Sequence, residues 1–123
     1  LELRIGQVFR NLLDNALSFA SPGGTVIIGA RVDDGRVIVT VDDDGPGIPA
    51  ENLSDIFKRF YSQRPEAEDF GQHSGLGLAI ARQIVEAHGG QLQAENRMAA
   101  PEAGDSVRRI LGARFTVILP LAG

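Results

Sequence analysis

The chain contains no cysteine and no tryptophan, and only one methionine and one tyrosine. Without thiols, disulfides and cysteine-based zinc sites are excluded, and cysteine usage assigns no compartment. Long apolar runs are also missing: none approaches the ~20 residues that span a bilayer, and the N-terminus lacks a signal-peptide layout. Nor is there an excess of positive charge. Twelve Lys+Arg against 16 Asp+Glu give a formal net charge of -4, which argues against nucleic acid as a partner, since nonspecific binding needs a basic surface. What is present is ordinary for a globular protein: 123 residues, 43% hydrophobic and 23% charged. That is one domain's worth of chain, long enough to bury a sizeable core. It begins inside an amphipathic pattern, which suggests a piece of something longer.

Residues 2 to about 19 predict a helix, with Ile5, Val8, Phe9, Leu12, Leu13, Ala16 and Leu17 at helical spacing. "SPGG" (21–24) ends it. "TVIIGARV" (25–32) and "RVIVTVDD" (36–43) alternate as strands around "DDG" (33–35), a hairpin signal. "ENLSDIFKRFY" (51–61) reads as a short helix or helical turns. Residues 62–74 are polar and aperiodic, a loop of a length that is usually functional or disordered. "GLGLAIARQIVEAH" (75–88) predicts a helix stopped by Gly89-Gly90. "QLQAEN" and "ARFTVILP" read as two further strands joined by a linker over about 97–112. Paired strands and separated helices predict an α+β fold, a two-layer α/β sandwich.

Within "VDDDGPGIP" (41–49) an apolar strand runs into three acids. Successive strand side chains face opposite ways, so Asp43 continues the face of Val37, Val39 and Val41, while Asp42 and Asp44 fall on the other. Three acids in a row also suit a solvated turn. If the valines face the core, however, Asp43 points inward and needs a partner, since an unpartnered buried acceptor costs about 1–3 kcal/mol. A carboxylate on an apolar floor accepts from an amino group. Adenine offers N6–H₂ as a donor where guanine presents O6, so such a site would discriminate against guanine. Gly45 and Gly47 would let backbone approach a flat ring.

Three further places carry candidate chemistry. On the first helix Gln7, Asn11, Asn15 and Ser18 share a narrow face bordering the apolar one. Asn is a poor helix-interior residue; the stripe is either a polar edge bonded to a loop or a pair of neutral oxygen ligands for a hard cation such as Mg²⁺. Ser74 and Gly75 precede a helix whose free N–H groups favour an anion, and Gly75 and Gly77 leave room for a phosphate; "GLGL" reads equally as a hinge. It is not a Rossmann fingerprint, because residue 80 is Ile. The loop brings Lys58, Arg59, Arg64 and His73, which are either solvated surface groups or cations able to close over a polyphosphate.

Taken in order, these segments resemble the ATP-binding catalytic domain of two-component sensor histidine kinases, in the gyrase, Hsp90, histidine-kinase and MutL superfamily. "QVFRNLLDNA" looks like the N box, "DDGPGIP" the G1 box, "IFKRFY" the F box, "GLGLAIARQIVEAHGG" the G2 box and "GARFTVILP" the closing strand. The loop is similar to that of ChvG-type envelope sensors. The resemblance implies a Bergerat-type ATP-binding fold over residues 1–123, a mixed sheet with helices on one face, N-terminally truncated and without a phosphoacceptor domain. It implies ATP and Mg²⁺ as cofactors, with Asn15, helped by Asn11, as metal ligands. Nucleotide contacts carried over are Asn11, Asn15, Ser18, Phe19, Asp43, Gly45, Gly47, Ile48, Tyr61, Arg64, Ser74, Gly75, Leu76, Gly77 and Leu78, with Phe57 and Phe60 anchoring the lid.

Departures from the family pattern are specific. Ser18 and Phe19 stand where Lys and Tyr are frequent, His73 replaces the first Gly of the G-x-G-L-G pattern, and Ala113 replaces a frequent Thr. The resemblance implies a phosphotransfer module that gives the γ-phosphate of ATP to a histidine on a separate dimerisation domain. A response regulator would be reached through the parent. The module itself would be cytoplasmic, with no direct membrane contact, in an inner-membrane sensor. Two alternatives remain: a gyrase- or Hsp90-like ATPase, against which Asn11 stands where those relatives place a Glu, and a non-catalytic nucleotide-binding interaction domain.

Overall fold

The computed structural model describes residues 2–53, 55–58, 77–100 and 109–121. Helix α1 (Glu2–Phe19) leads into a hairpin of β1 (Ile27–Asp33) and β2 (Arg36–Asp42); helix α2 (Gly77–Ala87) precedes a second hairpin of β3 (Gln91–Met98) and β4 (Ile110–Pro120). The four strands form one sheet in the order β1-β2-β4-β3, with both helices packed on one face as a two-layer α+β sandwich. Every described pairing is antiparallel. The parallel component expected of a mixed sheet is therefore not among the described strands: the β1–β2 and β3–β4 hairpins must be antiparallel, and β2 and β4 also run antiparallel. None of the described helices is long and apolar enough to cross a membrane.

The core lies between the layers. Val8, Leu12 and Ala16 of α1 and Ala81, Ile84 and Val85 of α2 meet Val41, Leu92, Phe115 and Val117 of the sheet. Leu17, expected in the apolar stripe, is instead 65% exposed. At ~100° per residue it lies about 140° round the helix from Leu12, outside the buried arc. The helix C-cap of α2 is a Schellman arrangement: Gly89 has φ 79°, the Gly90 amide donates to the Val85 carbonyl at 2.9 Å, and the Gly89 amide donates to Glu86 at 3.0 Å.

Hairpin β1–β2 turns on Asp34 and Gly35, with φ of 51° and 74°, the two left-handed residues of a type I′ turn. Two segment boundaries differ from expectation, and the helical turns expected after residue 50 are found. Strand β1 starts at Ile27 rather than Thr25, because the Thr25 amide goes to a carboxylate instead of the ladder. The linker expected over 97–112 is strand at both its ends: Arg97 pairs with Gly112, a bulge follows, Met98 pairs with Ile110, and the Ala99 amide donates to the Arg109 carbonyl at 2.8 Å. Segment 51–61 holds a 3-10 turn at Ala50–Asn52 and further turns through Lys58, where the Ile56 amide donates to Asn52.

Candidate functional site

The three acids at the end of β2 have three different partners. Asp42 points to the sheet's outer face, where both oxygens meet the Arg114 guanidinium, at 2.7 Å from Nε and 2.8 Å from Nη2. Asp43 is only 3% exposed, on the helix-covered face that strand alternation predicts. Its Oδ1 accepts from the Gly45 amide at 2.9 Å and the Ala113 amide at 3.2 Å. Its own amide donates to the Ala113 carbonyl at 3.0 Å. Among the described residues no donor reaches Oδ2, which leaves that oxygen as the acceptor for an incoming group. Asp44 leaves the strand and clamps the α1–β1 turn: Oδ1 accepts from the Ser21 amide at 3.1 Å and Oδ2 from the Thr25 amide at 2.9 Å. These two N–H groups, Thr25's above all, hold its carboxyl below the usual carboxylate range.

The loop after Asp43 crosses the end of the sheet. A Cβ on Gly45 would run into the Phe19 carbonyl oxygen, so only glycine lets the loop lie against the end of α1. Beyond it, Ile48 reaches β3, where the Asn96 side chain behaves as a strand backbone would. Its Oδ1 accepts from the Ile48 amide and its Nδ2 donates to the Ile48 carbonyl, both at 2.7 Å. Gly47, with φ 82°, fits against the same side chain. Asn96 was not among the sequence candidates. Its signal was present, since Asn is depleted within strands and one facing the helix layer needs a polar partner.

On α1 the half-buried Asn11 donates from Nδ2 to the Gly77 carbonyl at 3.1 Å, joining the helix to the first residue of α2. Asn15, one turn on, is also half-buried and makes no hydrogen bond among the described residues. Ser18 and Phe19 complete that end of α1, with the Phe19 carbonyl against Gly45. Gly77 and Leu78 sit in the first turn of α2. Asn11 is thus tied to Gly77, Asp43 to Gly45 and Ile48 to Asn96, with Gly45 lying against Phe19 at the C-terminal end of the helix that carries Asn11 and Asn15. Tyr61, Arg64, Ser74, Gly75, Leu76, Phe60 and His73 lie outside the described residues. Phe57 is half-buried; its ring meets Phe115 edge-on, with centroids 6.3 Å apart, and the Arg82 guanidinium lies 5.1 Å over it.

For Mg²⁺, the donor chemistry fits an open site rather than a cage. No cluster of three His, Cys, Asp or Glu able to hold a metal occurs among the described residues. With Nδ2 of Asn11 committed to Gly77, its Oδ1 is the free end. Neutral amide oxygens of this kind suit a hard cation that keeps waters and completes its shell with phosphate oxygens.

A helix-backed antiparallel sheet carrying a buried acid at a strand end, a glycine loop beside it and an asparagine helix across from it defines the class. The chain belongs to the histidine kinase-, DNA gyrase B- and HSP90-like ATPase family, whose profile matches residues 1–123. Within it, the chain is 54% identical over 120 residues to the sensor protein ChvG of Rhizobium meliloti (strain 1021), covering 97% of this chain and 20% of that protein. It is 52% identical over 122 residues to ChvG of Agrobacterium fabrum, covering 98% and 20%. The chain thus spans about a fifth of the length of these curated relatives. Among solved structures, the mycobacterial sensor histidine kinase MprB matches with a TM-score of 0.73 at 34% identity, over 94% of this chain and 68% of that one. Full-length ShkA in complex with AMPPNP matches with a TM-score of 0.75 at 29% identity, over 97% and 22%.

Proposed function

We infer that this domain binds Mg·ATP and presents the γ-phosphate to a histidine on a separate dimerisation domain of its parent. The parent is then a sensor kinase that passes the phosphoryl group to a response regulator. The observation that carries the reading is the Asp43 carboxylate: buried, locked through Oδ1 by two backbone N–H groups, and offering Oδ2 as the acceptor for the adenine amino group. Its support from outside the chain is family membership and the AMPPNP complex of the related ShkA. Asn15 and Asn11 would hold Mg²⁺, which supplies charge neutralisation at the phosphates. The N-terminal turn of α2 would face the phosphates with its free N–H groups, and Ser74, Gly75, Leu76, Tyr61 and Arg64 would complete the nucleotide contacts. Phosphoryl transfer of this kind is positioning plus electrostatics; the acceptor imidazole is itself the nucleophile, so no strong base is demanded of this domain. The domain would work in the cytoplasm, beneath an inner-membrane sensor, without touching lipid or nucleic acid.

Saturation tests the nucleotide half. Mg·ATP at about 100 Kd stabilises a one-site fold by ~2.7 kcal/mol, a melting shift on the order of 10 °C for a domain of this size, with almost none from GTP. No shift at millimolar ATP refutes the reading. Mixing the domain with its parent's histidine-bearing domain and ATP tests the rest: phosphohistidine is expected, and bound ATP without phosphohistidine makes this an interaction module. Hydrolysis by the domain alone is expected to be slow. The Asn11 amide is already donating to Gly77 and cannot accept a proton from water.

A further inference from the structure

Asp42 and Arg114 sit on the sheet face away from the helices, so neither touches a ligand bound at Asp43. Their position in the ladder is nevertheless particular. They are register partners across β2 and β4, and the next residue on each strand is Asp43 and Ala113. Those two exchange the amide–carbonyl bond of 3.0 Å and the amide–carboxylate bond of 3.2 Å that aim the Asp43 side chain. Beyond them the β2–β4 ladder ends, while β4 stays paired with β3 as far as Ile110; Gly45 turns away, and Gly112, with φ 152°, packs so close to the Asp43 carbonyl that a Cβ there would clash. A strand end without further rungs frays unless something closes it. Here the closure is a two-toothed charge-assisted fork at 2.7 and 2.8 Å, with Asp42 itself only 7% exposed and Glu95 registered opposite Arg114 on β3. Bidentate guanidinium–carboxylate pairs fix geometry as well as adding energy.

The geometry points to the Asp42–Arg114 fork as a positioning pair for base selection: it holds the last rung of β2 and β4 so that Asp43 meets the 6-amino group of a purine. Removing Arg114 strands a nearly buried carboxylate, which turns out toward water and rotates the adjoining Asp43 peptide with it. The inference rests on Asp43 as the base-recognising acid, and the test separates the two.

The full chain is titrated with ATP and with purine riboside triphosphate, which lacks the 6-amino group, and the ratio of the two affinities is the readout. One hydrogen bond to a charged group is worth roughly 10- to 150-fold in affinity, so a misaimed one costs about tenfold. Arg114→Ala and Asp42→Ala are each expected to reduce the ratio by about tenfold, and the double variant to reduce it no further. Arg114→Lys keeps the charge but loses the fork; it is expected to fall between parent and alanine, and it serves where Arg114→Ala does not fold. A merely structural pair would lower the melting temperature and weaken both nucleotides equally. An unchanged ratio in Arg114→Ala or Arg114→Lys, with Asp43→Asn collapsing it, overturns the positioning role alone. An unchanged ratio in Asp43→Asn overturns the base-recognition reading beneath it.

Discussion

Replacing Asp43 with Asn changes one atom's chemistry and little else, which makes it a sharp probe. The amide oxygen can occupy the Oδ1 position and keep both backbone donors, from Gly45 at 2.9 Å and Ala113 at 3.2 Å. The amide nitrogen then replaces Oδ2, so a donor faces the adenine N6–H₂ where an acceptor stood. The variant loses one hydrogen bond to a charged group, worth about 1.5–3 kcal/mol. At ~1.4 kcal/mol per factor of ten, ATP binding falls by roughly 10- to 150-fold. Guanine gains where adenine loses, because its O6 now meets a donor. The nucleotide-free fold should barely notice, whereas Asp43→Ala leaves two buried N–H groups unpaired at ~1–3 kcal/mol each and should melt well below the parent. Calorimetric titration with ATP and GTP, beside thermal melts of both variants, reads all three effects. An Asn variant that binds ATP within about threefold of the parent, or an Ala variant as stable as the Asn one, refutes the reasoning at its base.

Other expectations follow from the same geometry. Asn96→Ala removes both 2.7 Å bonds to Ile48 and should lower stability by about 1–3 kcal/mol, with faster amide exchange localised to Gly47 and Ile48. Asp44, whose folded pKa is depressed by the Thr25 and Ser21 amides, contributes stability above the unfolded carboxylate pKa of ~3.9, and that contribution is lost as pH falls through the lower folded value. Asp44→Asn should therefore flatten the acid limb of the stability–pH curve; an unaltered limb would show the clamp to be irrelevant. Phe57→Ala removes an edge-on ring contact with Phe115 and the face under Arg82. A half-buried Phe should cost less than the ~3–5 kcal/mol of a fully buried one, measured by denaturant unfolding.

Much of this architecture is legible in the residues because local rules decide it. The stripe from Ile5 to Ala16 needs a helix, Asp34-Gly35 suits two left-handed residues in a tight hairpin, and alternation from Val37 sends Asp43 inward. What was illegible depends on partners far along the chain. Alternation places Asp42 on the outer face but cannot name Arg114, 72 residues away, so a buried, paired acid reads as a solvated one. The Asn96 bridge spans 48 residues and has the same cause. The reach of β3 and β4 into the presumed linker comes from a bulge, which period-two patterning does not register. The near-complete exposure of β1, with Ile28 at 56% and Val32 at 66%, arises because the helices cover β2, β4 and β3 instead. An apolar strand pattern says that a face can be buried, not that something sits on it.

The two asparagines of α1 separate a structural task from a ligand task. Asn11 donates to the Gly77 carbonyl at 3.1 Å, so Asn11→Asp would set two oxygens against each other at that distance. The junction between α1 and α2 would then loosen before any nucleotide is added, at a cost of about 1–3 kcal/mol for the part-buried carbonyl left unpaired. Asn15 has no such bond among the described residues, so Asn15→Ala should leave the nucleotide-free melt within about 0.5 kcal/mol of the parent. If its amide oxygen serves the metal, the same variant should lose affinity for Mg·ATP while binding metal-free ATP as before. Melting without nucleotide, followed by ATP titration with magnesium and with a chelator, resolves the pair. Equal binding losses with and without magnesium in Asn15→Ala would remove it from the metal's shell, and an unperturbed melt in Asn11→Asp would mean that the α1–α2 junction rests on packing alone.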